Sequence, residues 1–458
     1  MMNRLRHGAV PAFLLLCLLF GGASAAGYWA NLGLQLAGLV LIVLAVSARR
    51  SAPLAAPGRQ AIGLLFLLVA LFALQLLPLP PGVWTHLPGR EPVVRGLELL
   101  GSPASWGAIS LEPYRTLDSA LWLIPAVATF FGILLLGGYR STWIAWVLAA
   151  VSILSVAIGA VQLAGGEGSG AYFYRITNFG AMTGFFANAN HLATLLLVTV
   201  PFLAALYLSA LEKGRSLKKS SGLVVILLGT AAVIVVGLAG ASSIAGAGLA
   251  VPVTSASAML VYSRKRRIPA WAFGVLLLVL AGSVAAAFSA PFDNNLTGQK
   301  AHTTEDSRLT SFTVTAKAAR QFLPVGSGVG TFQQIYRTFE DGGKVDRFYM
   351  NHAHSDYLEL ALETGIPGLA LVILFVLWWA RRSAAVWRDP EADPFAKAAT
   401  IAIGAMLAHS AVDYPLRTAA VSAVFAACCA LLSQPRPTVE RRSRARSGKP
   451  TARHLSAD

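Results

Sequence analysis

The chain has 458 residues, of which 55% are hydrophobic and only 13% are charged, and its mean hydropathy is +0.62. This balance excludes an ordinary soluble domain and predicts a polytopic membrane protein. The formal net charge of +16 does not indicate nucleic-acid binding, because the basic residues occur in short clusters between apolar segments, as in proteins oriented by a bilayer. The cysteines Cys17, Cys428 and Cys429 all lie inside apolar segments, so no loop offers a disulfide.

Apolar segments long enough to cross a bilayer recur along the whole chain. They predict an all-α fold with about 12 transmembrane helices, each of roughly 17 to 25 residues. The segments lie at about 9–26, 29–47, 60–78, 119–137, 141–164, 191–211, 222–241, 244–262, 269–290, 366–381, 395–413 and 416–433. The first segment also fits a cleaved secretory signal, since Ala23-Ser-Ala25 follows its apolar core. We favour an uncleaved helix, because the segment is long and another follows at once.

Basic residues are distributed unequally between the two sides of this predicted bundle. If the chain starts in the cytoplasm, the run 264–267, the pair Arg381 and Arg382 and the basic tail 434–458 all fall on the inner side. Both termini are then cytoplasmic, and a large polar insert at 291–365 is periplasmic. The predicted regions are 1–290 with periplasmic loops near 79–118 and 165–190, the insert 291–365, the helices of 366–433, and a disordered tail at 434–458.

The two shorter periplasmic loops carry arginines in different settings. The loop at 79–118 has mixed charges, which favours a partly ordered loop at the membrane interface. In the loop at 165–190, Arg175 stands alone among aromatic and amide side chains. Such a cation is either an anchor that snorkels to the interface or a ligand for an anion. The residues alone favour the anchor.

The large insert contains two further signals. Ser307 is placed to cap a helix, with Arg308 in its first turn and Arg320 further along. Arginine suits phosphate binding because its planar fork donates two parallel hydrogen bonds. The run Gly326-Ser-Gly-Val-Gly330 resembles a phosphate-binding loop, but it follows no predicted strand and lacks a Walker lysine, which favours a flexible turn.

The end of the insert predicts a helix start close to the membrane. Asp356 and Glu359 have the spacing of a capping box, so we expect a short helix that begins near Ser355 and stops at Gly365. Pro367 then falls in the first turn of a membrane helix. Titratable side chains at this boundary are candidates for acid–base chemistry.

Two histidines precede this helix, in the run His352-Ala-His-Ser-Asp356. His354 is a candidate general base, because imidazole titrates nearest to neutral pH. The spacing H-x-H-x-D also occurs in binuclear zinc hydrolases. That interpretation is the weaker one, since a tyrosine follows Asp356 and the chain then enters a membrane helix. A third interpretation makes His354 a capping residue without a catalytic role.

Four motifs follow one another along the chain. They are Arg175 with 184–193, Ser307-Arg308 with 324–332, the run 352–368, and the run 409–417. In this order, and on one predicted side of the membrane, they resemble the O-antigen ligase and polymerase family of bacterial membrane glycosyltransferases. The resemblance extends from the second apolar segment to the last.

The resemblance implies a helical enzyme of the bacterial inner membrane whose active site faces the periplasm. Such an enzyme transfers a glycan from undecaprenyl pyrophosphate to an acceptor hydroxyl, on lipid A core in ligases and on a second lipid-linked glycan in polymerases. It implies neither a metal nor another cofactor. The predicted periplasmic segments agree, because they contain arginines but no Asp-x-Asp pair to hold a divalent ion beside the leaving group.

The resemblance also assigns residue roles. Arg175 and Arg308 would bind the pyrophosphate, and His354 would activate the acceptor hydroxyl or orient the reacting groups. One arginine that the family often carries is replaced here, so we expect Arg320 or Arg417 to supply that contact. The predicted substrate pocket is completed by Asn190, His352, Asp356 and Arg417.

A transporter or flippase of lipid-linked glycans is the alternative function. Transporters often consist of two related halves with interrupted helices at matching positions, and this sequence shows no convincing internal repeat. A large insert that bears histidines and arginines on one side favours an external active site.

Overall fold

The computed structural model describes residues 2–24, 27–48, 54–136, 141–212, 221–264, 266–288, 308–342 and 350–434, with the backbone alone for residues 2–7 and Arg308. Within these ranges the chain is helical and forms no β-strand, apart from an isolated antiparallel bridge between Leu79 and Gly107. The predicted cap Ser307 and residues 435–458 of the predicted disordered tail lie outside the described residues.

Every predicted apolar segment coincides with a helix or, for the fourth segment, with a pair of consecutive helices. The helices are α1 Met2–Phe20, α2 Tyr28–Ser47, α3 Ala56–Leu76, α4 Pro81–Trp84, α5 Glu91–Leu99, α6 Pro113–Leu121, α7 Ile124–Leu136, α8 Ser141–Ala164, α9 Ala189–Glu212, α10 Ser221–Ala241, α11 Ile244–Tyr262, α12 Ala270–Phe288, α13 Arg308–Phe322, α14 Phe332–Phe339, α15 Asp356–Arg388, α16 Pro394–His409 and α17 Ala419–Leu432.

Nine helices of the described ranges are long and apolar enough to cross a membrane, and α6 with α7 forms one of these spans. The apolar part of α1, Gly8–Phe20, and α17, Ala419–Leu432, are shorter. A helix satisfies its backbone hydrogen bonds internally, which is why apolar helices of this length are stable in lipid. The predicted all-α polytopic membrane fold is confirmed.

Helix α9 forms the centre of the bundle. It is the most buried span, with 78% of its apolar window covered, and it packs against α8, α10, α11 and α16. Helix α12 is the opposite case, with 6% of its window covered and large apolar side chains such as Trp271 and Leu278 on the outside. Because lipid is as apolar as these side chains, their exposure costs nothing in a bilayer. Small side chains such as Ala398, Ala402 and Ala423 let α16 and α17 pack closely in the interior.

Several helices end or begin at one face of the bundle. Those that end there are α1, α3, α8, α10, α12 and α16, and those that begin there are α9, α11, α15 and α17. We call this face the site face. Backbone hydrogen bonds of 3.0 to 3.1 Å join several of these ends, from the N–H groups of Ala420, Ala187 and Met182 to the carbonyls of Gly21, Gly22 and Gly240. At the opposite face, Arg382 donates to the carbonyl of Leu432. The basic residues Arg264, Arg266, Arg267 and Arg381 also lie at that opposite end of their helices.

A small second core lies at the site face. It is built from Ala318, Ala319 and Phe322 of α13, Phe332, Ile335 and Tyr336 of α14, and Leu362 of α15. The segment 79–118 packs onto it: the buried Arg90 donates to the carbonyl of Gly326 at 3.0 Å and lies over the Phe322 ring. Burial lowers the pKa of Arg90 to about 10. The segment is therefore an ordered wall of the site face and not the partly ordered interfacial loop that its mixed charges predict.

Candidate active site

Helix α15 begins and bends where the sequence predicts. The Ser355 hydroxyl caps its first turn by accepting from the Leu358 N–H, and Gly365 breaks the helix with φ 59° and ψ −146°. A side chain at Gly365 would collide with the Pro324 carbonyl, so only glycine fits there. The predicted capping box is wrong, because Ser355 and not Asp356 is the N-cap, and the Glu359 carboxylate accepts from the Ala353 N–H instead of the N–H of the N-cap residue.

Three carboxylates of α15 lie on one helix face. Asp356, Glu359 and Glu363 follow at i, i+3 and i+7, and each is at most 6% exposed. Arg417, in the turn after α16, meets all three: its Nη1 lies 3.0 Å from Glu359, its Nη2 3.2 Å from Glu363, and its Nε 3.4 Å from Asp356. Burial alone lowers the pKa of Arg417, but the three carboxylates raise it above its usual value. A single buried guanidinium therefore contacts all three carboxylates of this face, although its one positive charge balances only one of them.

The glycine-rich run 326–330 already binds an acidic side chain, which is that of Glu363. Glu363 Oε1 accepts from the Gly330 N–H at 2.8 Å and from the Phe332 N–H at 3.4 Å. The Val329 N–H donates to Gln75 Oε1 at 2.9 Å. These N–H groups are thus engaged by the protein itself. The run is also no flexible turn, because it is packed between α3, α6 and α15.

Tyr414 occupies the centre of the polar cluster. Its ring contacts the imidazoles of His352, His354 and His191, with centroid distances of 4.3, 4.9 and 5.0 Å. Its hydroxyl accepts from the side-chain amides of Asn188 and Asn351, each at 3.3 Å. Burial and the neighbouring Asp413 raise the pKa of the Tyr414 phenol, so it stays protonated at neutral pH.

His354 is paired with a buried carboxylate. Its Nδ1 lies 3.4 Å from Oδ1 of Asp413, whose side chain is fully buried, while the His354 side chain is 18% exposed. Burial alone raises the pKa of Asp413, but His354 and the nearby histidines hold it well below its usual range. The His354 backbone is left-handed, with φ 53°. Such a conformation costs a non-glycine residue roughly 1–2 kcal/mol, and strain of this kind clusters at functional sites.

His352 lies in a chain of three side chains. Its Nδ1 is 2.9 Å from Glu359 Oε1, and its Nε2 is 3.2 Å from the hydroxyl of Ser24 at the end of α1. A base oriented by a carboxylate and facing a hydroxyl is the geometry of acid–base and nucleophilic sites. Glu359 is fixed from behind by the Ala353 N–H at 2.9 Å and by Arg417.

The three side chains of the H-x-H-x-D run do not point toward a common site. His352 is directed to Glu359, His354 to Asp413, and Asp356 accepts from the Ser410 hydroxyl at 2.7 Å. In the described ranges, no group of three or more His, Cys, Asp or Glu side chains is arranged to hold a metal ion.

The predicted site residues divide into two groups. His352, His354, Asp356 and Arg417 come together around Tyr414 and α15, as described above. Arg175 and Arg320 are exposed, and neither has a hydrogen bond or ion pair within the part of the chain that the structure describes. The side chain of Arg308 lies outside the described residues.

Asn188, and not the predicted Asn190, contacts Tyr414 with its side chain. The backbone N–H of Asn190 donates to Asn188 Oδ1 at 2.8 Å. Residues that the sequence interpretation missed are Ser24, Asn188, His191, Asn351, Glu359, Glu363, Asp413 and Tyr414. A signal for two of them was present, because Glu359 and Glu363 share a helix face with Asp356.

An apolar cavity of about 500 Å³ leads away from this cluster, between α3, α7, α15 and α17. Its polar end is lined by Ser24, Arg115, Asp118, Asn351, His352, Asp356, Glu359, Glu363 and Arg417. Its walls are mainly leucine and aromatic side chains of the membrane helices, such as Leu68, Phe130 and Phe375. The cavity therefore joins a polar, titratable end to an apolar interior.

This fold and this cavity define a multi-pass membrane protein with an enzyme-like site at one face. Residues 228–373 match the family described as O-Antigen ligase, and the resemblance to O-antigen ligases and polymerases that the motifs predict is confirmed. The match includes the glycine-rich run, both loop histidines and the acidic start of α15. It supports glycosyltransferase activity of the O-antigen ligase or polymerase type in a bacterial membrane. No curated protein matches the chain.

Proposed function

We propose that the protein transfers a glycan from undecaprenyl pyrophosphate to an acceptor hydroxyl at the periplasmic face of the bacterial inner membrane. The observation that carries this proposal is the cavity, whose apolar walls end at carboxylates and at the His352 imidazole. His354 contacts the same Tyr414 ring as His352. A lipid-linked glycan has the same two parts, an apolar chain and a polar reacting end. The acceptor is lipid A core if the protein is a ligase, and a second lipid-linked glycan if it is a polymerase.

In the proposed reaction, the acceptor oxygen attacks the anomeric carbon of the donor glycan. The bond between that carbon and the pyrophosphate oxygen breaks, and the pyrophosphate leaves with the electron pair. The acceptor proton passes to the His354 imidazole, and the Asp413 carboxylate at 3.4 Å stabilises the imidazolium that forms. A positioned base of this kind contributes roughly 10² to 10⁴ in rate.

The charge that grows on the leaving pyrophosphate needs fixed cations or a metal. We assign the fixed cations to Arg175 and Arg308, on the strength of the family motifs, with Arg320 as a third contact. Arg175→Lys and Arg308→Lys keep the charge but lose the planar fork, so both should impair transfer severely.

Transfer by the purified protein should survive EDTA. Complete loss that zinc, magnesium or manganese restores would contradict this assignment.

The experiment that tests the proposal is His354→Ala. We expect it to abolish glycan transfer while the protein reaches the membrane in normal amount. His352→Ala is the matched comparison and should be milder, because Glu359 keeps Arg417 and the Ala353 N–H when that imidazole is removed. Near-normal transfer by His354→Ala, or loss of the protein from the membrane, would favour the capping role instead.

Deletion of the gene separates the two acceptors. Surface polysaccharide from the deletion strain should show lipid A core without polymer if the protein is a ligase, and single repeat units if it is a polymerase. Unchanged surface glycan would contradict both. Glycan that stays on its lipid at the cytoplasmic side would indicate a flippase.

A further inference from the structure

The cavity has a second cation at its polar end. Arg115, in the first turn of α6, lines the cavity, and its guanidinium has no hydrogen bond or ion pair within the described ranges. Arg417 is the other described arginine of the lining, and its fork is already engaged by three carboxylates. An anion that enters the cavity therefore meets one arginine whose hydrogen-bond donors are not engaged.

Arg115 stands at the head of an amphipathic stripe. Cavity-lining residues recur every three or four positions along the span formed by α6 and α7, as single residues or adjacent pairs, which places them on one side of it: Ser119, Trp122, Leu123, Ala126, Val127 and Phe130. The stripe runs roughly 20 Å from the site face into the membrane, at about 1.5 Å per residue. Leucines of α3, such as Leu65 and Leu68, face it across the cavity. One helix pair thus offers a cationic head and an apolar channel.

The charges around this head explain why Arg115 matters. Asp118 lines the same end, and the positive charge of Arg417 is compensated by Asp356, Glu359 and Glu363. The polar end has four carboxyl groups and two arginines, so Arg115 reduces the formal excess of carboxylates that meets an incoming phosphate from three to two. A guanidinium without an ion-pair partner can donate two parallel hydrogen bonds to unesterified phosphate oxygens.

We propose that Arg115 binds the pyrophosphate of an isoprenyl lipid whose chain lies between α3 and α7. This inference rests on the proposed function, because it concerns the donor of that reaction. It adds a binding residue from the 79–118 segment, which none of the family motifs includes. The pyrophosphate then lies at the cavity end where Asn351 and His352 also point inward.

Binding by the purified full-length protein in detergent tests the inference directly. The probes are farnesyl pyrophosphate and farnesol, which share the isoprenyl chain and differ in charge. Arg115→Gln should weaken binding of farnesyl pyrophosphate about 10- to 100-fold, the range for losing charge-assisted hydrogen bonds, and leave farnesol binding unchanged. Arg95→Gln, which removes an exposed arginine of α5 outside the cavity, should change neither affinity. Ala126→Trp should weaken both, because it fills the channel.

Two results would overturn the inference. One is unchanged affinity of Arg115→Gln for farnesyl pyrophosphate, with a melting temperature equal to that of the wild type. The other is displacement of farnesyl pyrophosphate by an equal concentration of phosphatidylglycerol, which would show a general site for anionic lipid. Arg115→Lys provides a folding control, since it keeps the positive charge. Its affinity for farnesyl pyrophosphate should lie between those of the wild type and Arg115→Gln.

Glycan transfer measured on the same variants separates this inference from the proposed function. If the wild-type protein transfers glycan and Arg115→Gln binds and transfers equally well, the inference fails and the function stands. If binding depends on Arg115 but the wild-type protein transfers no glycan, the function fails and the lipid site stands.

Discussion

Arg417 connects three parts of the site face. It lies in the turn after α16, it meets three carboxylates of α15, and through Glu363 it is coupled to the glycine-rich run 326–330. Buried charges are costly to remove from water, so such a network stabilises the fold only while every member keeps a partner. The arrangement gives Arg417 a structural role in addition to its place in the cavity lining.

Arg417→Lys should therefore lower stability by about 1–3 kcal/mol, because one ammonium group cannot replace a fork that reaches three carboxylates. The measurement is the melting temperature in detergent. Arg320→Lys, an exposed change on α13, is the control and should leave it unchanged. A normal melting temperature together with lost glycan transfer would show instead that Arg417 acts mainly on the substrate.

Asp413 makes stability depend on pH. Its pKa in the folded protein is below the unfolded value of about 4, so its contribution is present above that value and is lost as the pH falls through the folded pKa. We expect Asp413→Asn to lower the melting temperature at about pH 7. Between about pH 5 and pH 3, the melting temperature of this variant should fall less than that of the wild type.

The control for that comparison is Glu98→Gln, which changes an exposed carboxylate of α5. Its melting curve should follow the wild-type pH profile. Equal acid sensitivity of Asp413→Asn and the wild type would mean that other carboxylates dominate the acid response. The pairing of His354 with Asp413 would then contribute little to stability.

At the scale of elements, the glycine-rich run shows how local patterns mislead. The spacing of its glycines resembles a phosphate-binding loop, yet Gly326, Gly328 and Gly330 serve close packing at positive φ against α15 and the 79–118 segment. The run connects α13 to α14, and the N–H groups of Gly330 and Phe332 join it to Glu363 of α15. Its glycines are required by geometry and not by a ligand.

Gly328→Ala tests this explanation. The residue has φ 111°, and an added Cβ would collide with Ser110, so we expect a loss of at least about 1–3 kcal/mol. Gly342→Ala is the matched control, because a Cβ there meets nothing within 4 Å. Thermal unfolding of both variants gives the comparison. Equal stability would show that the run can rearrange, as a flexible turn would.

Local signals predicted local structure well. The helix start near Ser355 and the break at Gly365 depend on residues within one helical turn, and both are confirmed, although the cap is Ser355 and not the predicted capping box. The partners of the site residues could not be predicted in this way. Asn188 and Tyr414 are 226 positions apart, and no pattern along the chain links them. Arg417 was predicted to line the pocket, but its ion pairs with the three carboxylates of α15 are visible only in the three-dimensional structure.

For the whole molecule, hydropathy predicted the positions of the apolar helices because a bilayer requires a minimum apolar length. Of the about 12 predicted transmembrane helices, nine in the described ranges are long and apolar enough to cross a membrane. Hydropathy did not predict their arrangement. Helices α9 and α12 have similar mean hydropathies of 2.1 and 2.2, yet 78% of one window and 6% of the other are covered. Since lipid and protein interior are equally apolar, composition does not distinguish a central helix from a peripheral one.

The two faces of the bundle differ in kind. One bears the basic clusters around Arg264 and Arg381, and the other bears the polar end of the cavity, the second core and the titratable cluster. Positively charged loops are retained in the cytoplasm during insertion. From the distribution of lysine and arginine we therefore expect the site face to lie in the periplasm, where the proposed donor is presented.

A reporter fusion tests that orientation. Alkaline phosphatase, which is active only in the periplasm, should be active when inserted within 295–345, and inactive when inserted within 264–267 or fused to the C-terminus. The second insertion is the matched control, because it lies at the opposite end of α12. Reversed activities would place His354 and the polar end of the cavity on the cytoplasmic side. A donor presented in the periplasm could not then reach this site, so both the orientation and the proposed transfer reaction would have to be abandoned.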